Sequence, residues 1–370
     1  MESPMTPLAP SPFADRLARL RAKLAQEELD ALLVSQPENR RYLSGFTGSA
    51  GWLLISADQA LFATDFRYYE QVGLECPDFE LVRLTTGLKD ALPDMIGRVA
   101  ARRVGFEADH ATYASFQEWT EAVKTCEWVP TKGLIAPLRA VKDAAELAAV
   151  RAAVALTDEA LASVLPEIRP GMTELDVAWR IESAMRTRGA DGVAFDLIVA
   201  GGSNAARPHA RASRRPLQAG EPIVIDIGAR VDGYCADLTR TVCLGRPVDE
   251  ARFWEVYNTV LRAQTAAEAA IRPGLRGKEG DAVARDLIAA AGYGEYFGHG
   301  LGHGVGLAVH EEPRLSRLAD EPLPAGALVT VEPGIYLPGW GGVRIEDLVL
   351  VTENGVEVLS QASKEPILFV

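Results

Sequence analysis

Apolar positions along the chain recur every three to four residues in some stretches and every second residue in others, and this alternation predicts the elements. Phe13, Leu17, Leu20 and Leu24 share one face of a helix over 13–28. Short β-type runs follow at 31–34, 52–55, 60–64, 80–84 and 103–106, with helical patterns at 66–72, 88–101 and 112–123. Gln36-Pro37-Glu38-Asn39 reads as a break. Strands and helices alternating at this interval predict an α/β domain over 13–135, preceded by a loose proline-rich tail at 1–12. The connecting stretch from Gly133 to Arg139 leads into a second domain, 136–370.

That domain opens with an alanine-rich helix over 143–165, stopped by Pro170-Gly171. Thr173 with Asp176 three residues on resembles a capping box and starts a helix over 173–187. A strand at 195–200 and a Gly/Ser/Asn/Pro-rich loop holding His209 precede the clearest signal in the chain, residues 221–243. There two apolar runs flank Asp232-Gly233, the sequence of a two-residue hairpin turn. With that turn Val231 faces Tyr234, Asp226 faces Thr239 and Gly228 faces Asp237. Side chains alternate with period two, so Asp226 and Asp237 point to one side as diagonal neighbours. Two carboxylates set there among apolar residues would repel, and one would be driven towards protonation unless a cation lay between them.

Helices over 250–271 and 277–291, a glycine-rich stretch, and strands at 327–332 and 343–351 complete the chain. Two helices followed by a strand pair, twice over, predict two related halves around one sheet.

Composition narrows the chemistry. A net charge of −13 disfavours nucleic-acid binding, and no apolar run reaches the ~20 residues of a membrane helix. Cys76, Cys126, Cys235 and Cys243 show neither disulfide nor zinc spacing, and without a signal-peptide pattern the expected location is cytoplasmic. Three of the five histidines, His299, His303 and His310, fall in one glycine-rich stretch, where backbone can approach a bound group. Glu332 and Glu346 have apolar neighbours on the closing strands, where an unpaired carboxylate would be costly. Two Asp, two Glu and a His match two divalent cations, a set suited to activating water and polarising a carbonyl.

Asp226, Asp237, His303, Glu332 and Glu346, in the contexts IDIGARVDGYCADLTRT, HGLGHGVG, VEPGIY and GVRIED, resemble the Xaa-Pro peptidases (aminopeptidase P and prolidase) of metallopeptidase family M24. The resemblance covers nearly the whole chain. It implies an α/β creatinase-like N-terminal domain and an α+β pita-bread catalytic domain whose two similar halves enclose a dinuclear metal site. By that likeness Asp237, His303 and Glu346 hold one metal and Asp226 the other, with Asp237 and Glu346 bridging and Glu332 completing the set. Mn²⁺ is the expected ion, with Co²⁺, Zn²⁺ or Fe²⁺ as alternatives.

The same likeness assigns His310 to the scissile carbonyl or its oxyanion, His209 to a loop closing over substrate, and His299 to the pocket. Arg344 would pair with the metal carboxylates, and Thr239 would support Asp226. A hydroxide bridging the metals would attack the bond before proline, and Glu332 would pass the proton to the departing nitrogen. The N-domain stretches FTGSAG and TDFRYYEQ look like those of aminopeptidase P, which implies release of the residue preceding proline from small peptides with proline second. Prolidase, confined to Xaa-Pro dipeptides, is the close alternative, and a non-catalytic binding or chaperone module the alternative of another class. Relatives of this kind imply a homodimer.

Overall fold

The computed structural model describes residues 12–368. The tail expected at 1–12 lies outside them, apart from Pro12, which begins the first helix, Pro12–Gln26. The chain divides into two compact units meeting in sequence at Arg139 and Ala140, where the expected boundary fell at 135 and 136.

In the first unit six strands form a mixed sheet, in the order Glu80–Leu84, Ala60–Asp65, Trp52–Ser56, Ala31–Val34, Arg103–Glu107, Glu127–Thr131. Ala31–Val34 is buried throughout, as a central strand of uninterrupted apolar residues should be. Helices Leu88–Arg98 and Tyr113–Ala122 cover the sheet through Leu92, Met95, Ile96 and Trp119. Two elements depart from expectation. The break at 36–39 starts a helix, Pro37–Ser44, with proline in its first turn and Tyr42 and Leu43 buried. The helix expected at 66–72 divides into a 3₁₀ turn, Phe66–Tyr68, and a helix, Tyr69–Glu75.

The second unit has the two-half plan, but its strands do not form one sheet. Helices Ala144–Val164 and Glu174–Thr187 pack on a four-stranded sheet ordered Ile367–Leu368, Leu238–Leu244, Pro222–Ile227, Ile198–Gly201. Helices Glu250–Ala270 and Gly277–Ala290 pack on a five-stranded sheet ordered Glu311–Leu315, Gly302–Gly304, Leu328–Val331, Asp347–Thr352, Gly355–Val358. Smaller sheets join Gly334–Leu337 to Gly341–Arg344, and Tyr234–Cys235 to Ala229–Val231 and Gly192–Val193. The main chain of Glu346 donates to the carbonyl of Thr239, tying one half to the other.

Period-two alternation decides what each sheet shows to its helices. Ile223, Ile225 and Ile227 enter the core under Ala144–Val164 and Glu174–Thr187, which leaves Asp226 on the opposite face. The hairpin register holds: Val231 pairs with Tyr234, and Thr239 with Asp226. Its ladder lapses, however, at Gly228 and at Ala236-Asp237, where a Cβ on Gly228 would lie 2.0 Å from the carbonyl oxygen of Ala236. The strand expected over 343–351 lapses likewise, at Ile345-Glu346. The strand expected at 195–200 begins later, at Ile198.

Candidate metal centre

Three of the five expected metal ligands sit in two-residue gaps between strands. Asp237 precedes Leu238–Leu244, Glu332 follows Leu328–Val331, and Glu346 precedes Asp347–Thr352. A strand that stops pairing frees its backbone to turn the side chain inward, so each gap delivers a carboxylate to one point. His303 lies on Gly302–Gly304, beside a register shift of the same kind. Gly302 admits this crowding, since a Cβ there would meet the carbonyl of Thr330 at 1.9 Å. The glycines of this stretch thus let strand approach strand, and Gly300 and Gly302 also line the cavity around the site.

Ligand atoms of Asp237, His303 and Glu346 all lie within 4.8 Å of one another, and all three residues are buried. Glu332 Oε1 is 3.3 Å from His303 Nε2, and Asp237 Oδ2 is 3.7 Å from it. The imidazole Nδ1 is 3.1 Å from the Gly304 carbonyl, which can only accept, so Nδ1 carries the proton and Nε2 faces the carboxylates with its lone pair. That is the tautomer a metal-ligating histidine needs.

Asp226 is held differently. Its Oδ2 accepts from Arg344 Nη2 at 2.6 Å, whereas Oδ1 is buried and receives no hydrogen bond. Thr239 donates its hydroxyl to Glu346 Oε2 at 2.7 Å and accepts from Arg344 Nε at 3.1 Å. It therefore supports Glu346 and Arg344 directly, while its backbone pairs with Asp226 as expected. Arg344 also donates to the Tyr336 hydroxyl (2.8 Å) and the Pro208 carbonyl (3.2 Å).

The electrostatics are those of an anionic cluster short of positive charge. Burial, then neighbouring carboxylates, push Asp237 and Glu346 well above the usual carboxylate range. Burial also raises Asp226, although Arg344 opposes it. Burial works on Glu332 in the same sense, and Arg344 opposes it. An orphaned buried oxygen, a correctly disposed imidazole lone pair and mutually repelling carboxylates fit a site built for cations.

Around this centre opens a cavity of about 820 Å³ lined by His209, His299, His310, Phe195, Trp179 and Arg314, among others. His310 stacks edge-on to His303 with ring centroids 4.3 Å apart. Burial, with His303 and Arg314 nearby, lowers it to about 4, so it is neutral at pH 7. His299 donates from Nδ1 to the Gly300 carbonyl and accepts at Nε2 from Tyr336, whose oxygen in turn accepts from Arg344. His209 is exposed, on the loop between the Gly202–Ala206 turn and strand Pro222–Ile227.

Sequence reasoning overlooked Tyr336, which joins His299 to Arg344, although it stands in the quoted context VEPGIY. It also missed Arg240. Arg240 donates to the backbone carbonyl of Glu346 (2.5 Å) and to Asp347 Oδ1 (2.7 Å) and is almost wholly buried. Its one visible signal was a charge inside an otherwise apolar and threonine-rich strand.

The model of the metallopeptidase family M24 matches residues 148–353, and that of the creatinase/prolidase N-terminal domain matches residues 16–141. This chain belongs to metallopeptidase family M24. A Xaa-Pro dipeptidase of Pyrococcus furiosus is 35% identical over 353 residues, 95% of this chain and 99% of that protein. Two solved structures extend the likeness. A Xaa-Pro dipeptidase from Bacillus anthracis is 41% identical, with a TM-score of 0.93 over 96% of this chain and 100% of that one. An X-Pro aminopeptidase from Thermotoga maritima is 40% identical, with a TM-score of 0.87 over 96% and 100%. The M24 protein therefore has the expected creatinase-like N-terminal domain and pita-bread catalytic domain. No helix among its described residues is long and apolar enough to cross a membrane.

Proposed function

We propose that this chain hydrolyses the bond before proline in Xaa-Pro dipeptides, which reverses the order of the two activities weighed from sequence. The observation that carries the choice is Arg314. It pairs with His303 across adjacent strands, lines the cavity, and is only loosely engaged by Glu312 at 3.9 Å. A half-exposed guanidinium one strand away from a metal-binding histidine suits the C-terminal carboxylate that a dipeptide carries next to its scissile bond. A tripeptide has an amide there. The dipeptidases of Bacillus anthracis and Pyrococcus furiosus agree with this reading. The Thermotoga maritima enzyme keeps aminopeptidase action on longer peptides as the second reading.

Asp226, Asp237, His303, Glu332 and Glu346 would hold two divalent ions, with Mn²⁺ the first to test; when bound, such ions supply Lewis acidity that makes water acidic near neutral pH and polarises a carbonyl. The rest falls to the chain. His310, neutral at pH 7, offers an N–H to the carbonyl oxygen as charge builds there. Glu332 takes a proton from the attacking water at Oε and releases it to the proline nitrogen. An amine nitrogen is too basic to leave unprotonated, so it cannot depart without this delivery. His299, locked by Tyr336 and Gly300, walls the pocket, and His209 covers the substrate. Trp179, Phe195 and Leu197 give the residue before proline an apolar surface.

The test is a length series, Xaa-Pro against Xaa-Pro-Xaa, assayed with Mn²⁺ on the unaltered chain and on Arg314→Ala. Dipeptides should be preferred, and the variant should lose that preference. Equal cleavage of both lengths by the unaltered chain would reinstate the aminopeptidase.

A further inference from the structure

The loop that bears His209 runs from Gly201 to Glu221 with only the 3₁₀ turn Gly202–Ala206 and one isolated bridge as regular structure. Such a loop would ordinarily be loose. Gly201, Asn204 and Ser213, on either side of His209, nonetheless converge on one side chain. Glu174, the first residue of helix Glu174–Thr187, has 0% of its surface exposed. Its Oε1 accepts from the Gly201 backbone N–H at 2.9 Å and from Asn204 Nδ2 at 2.9 Å. Its Oε2 accepts from the Ser213 backbone N–H (3.0 Å), the Ser213 hydroxyl (2.6 Å) and again Asn204 Nδ2 (3.1 Å).

The backbone of the same helix end doubles the attachment. Glu174 and Leu175 donate their N–H groups to the carbonyls of Arg215 and Ser213. Among the described residues no cation touches the carboxylate: Arg215, whose charge reaches it only at longer range, is paired with Glu221 at 2.6 Å. A buried carboxylate with no cation in contact is tolerated only where hydrogen bonds replace its water, and here the loop supplies five.

The residues pinned by Glu174 bracket the loop segment that carries His209. At its tip the Pro208 carbonyl, next to His209, accepts from Arg344, which also holds Asp226. The loop is thus fixed at its base by Glu174 and at its crown by the metal-site arginine. We infer that Glu174 is a positioning residue for the reaction, setting where His209 stands over the substrate although it touches neither substrate nor metal. This rests on the proposed Xaa-Pro hydrolysis, and the test separates the two.

Glu174→Gln keeps the shape. Its amide oxygen can still accept from Gly201 and Asn204, but its NH₂ confronts the Ser213 N–H, donor against donor. In hydrogen–deuterium exchange of the full Mn²⁺-loaded chain, residues 201–215 should exchange about tenfold faster or more in this variant, with the helices unchanged. Ser213→Ala, which removes one bond and no charge, should give the same pattern at smaller size, and stands in should the first variant fail to fold. On Xaa-Pro substrate, Glu174→Gln should lose about 100-fold in kcat/KM, as does a misplaced group at a catalytic centre. His209→Ala should lose as much, and the double variant no more than His209→Ala alone, with metal content equal throughout. A residue that merely stabilised the fold would give losses that multiply. Multiplying losses, or unchanged exchange over 201–215 in the folded variants, would overturn the inference. An unaltered chain inactive on every Xaa-Pro peptide overturns the proposed function instead, and the exchange measurement still decides whether Glu174 holds the loop.

Discussion

Arg344 offers the sharpest test of how the carboxylate cluster is balanced. Its side chain is 4% exposed and reaches Asp226, Thr239, Tyr336 and Pro208. Its positive charge favours the ionised form of Asp226, Asp237, Glu332 and Glu346 alike. Arg344→Met keeps most of the volume and removes the charge and every donor. In the metal-free protein, losing one partner of a buried pair costs about 3–5 kcal/mol, because Asp226 is left with both oxygens unmet. For a unit of this size that amounts to a fall of about 10 °C in the melting temperature of the second unit.

Cations change the arithmetic. With Mn²⁺ bound, Asp226 gains a positive partner, and the variant should keep only the loss of ordinary hydrogen bonds to Tyr336, Thr239 and Pro208, about 1–2 kcal/mol. The assay is calorimetry of both proteins with saturating Mn²⁺ and after exhaustive chelation. Metal should raise the melting temperature of Arg344→Met by clearly more than that of the unaltered chain. Equal increments would show that Arg344 does not compensate the charge the cations meet, and would refute the reasoning.

Three further outcomes follow from the same geometry. Thr239→Val deletes the hydroxyl that donates to Glu346 Oε2, and Mn²⁺ affinity measured by competition with a chelating dye should drop about 10–100-fold. Burial, with Asp347 nearby, raises Glu268 from 4.5 to about 7 against the pull of Lys364 and Arg240, so the folded state binds this proton more tightly than the unfolded one. Its contribution to stability against urea should therefore be fully present below pH 4.5 and be lost, by about 3 kcal/mol, as pH rises to 7, a difference between the unaltered chain and Glu268→Gln that urea titrations across this range would read. Arg314→Ala should raise KM for Xaa-Pro dipeptides about tenfold or more and leave tripeptide KM within twofold, read from initial rates; equal effects on both would detach the arginine from the substrate carboxylate.

Much of this was legible in the chain because period and turn chemistry act locally. Asp232-Gly233 set a register that survives to Thr239 and Asp226 even though the ladder is interrupted between them. The interruptions themselves were not legible. Nothing local says that Ile345-Glu346 should leave the sheet; that depends on Thr239, more than a hundred residues earlier, accepting from the Glu346 N–H. Pro37–Ser44 was misread for the opposite reason. Its proline is a helix-start signal, but the segment is short and polar, and what makes it helical is burial of Tyr42 and Leu43. Glu127–Thr131 was missed because a half-exposed strand containing proline has little periodicity to show. Glu174 looks like any acid in a first helical turn, and only the folded loop reveals what it binds.

The two halves of the second unit explain why the site is built at gaps. Each half buries the helix-facing side of its sheet in its own core, so regular alternation can offer the inner face only isolated polar residues such as Asp226 and Thr239. To gather four carboxylates and an imidazole at one point, the chain must break alternation, and it does so at Asp237, Glu332 and Glu346. Of the candidate ligands the first half carries Asp226 and Asp237 and the second His303, Glu332 and Glu346, and the cluster of Asp237, His303 and Glu346 itself draws on both. Cations bound there would act as struts as well as reagents, joining halves whose sheets share few backbone bonds. The same carboxylates that would make the centre reactive with metal make it self-repelling without, and Arg344 is the residue by which the chain tolerates that interval.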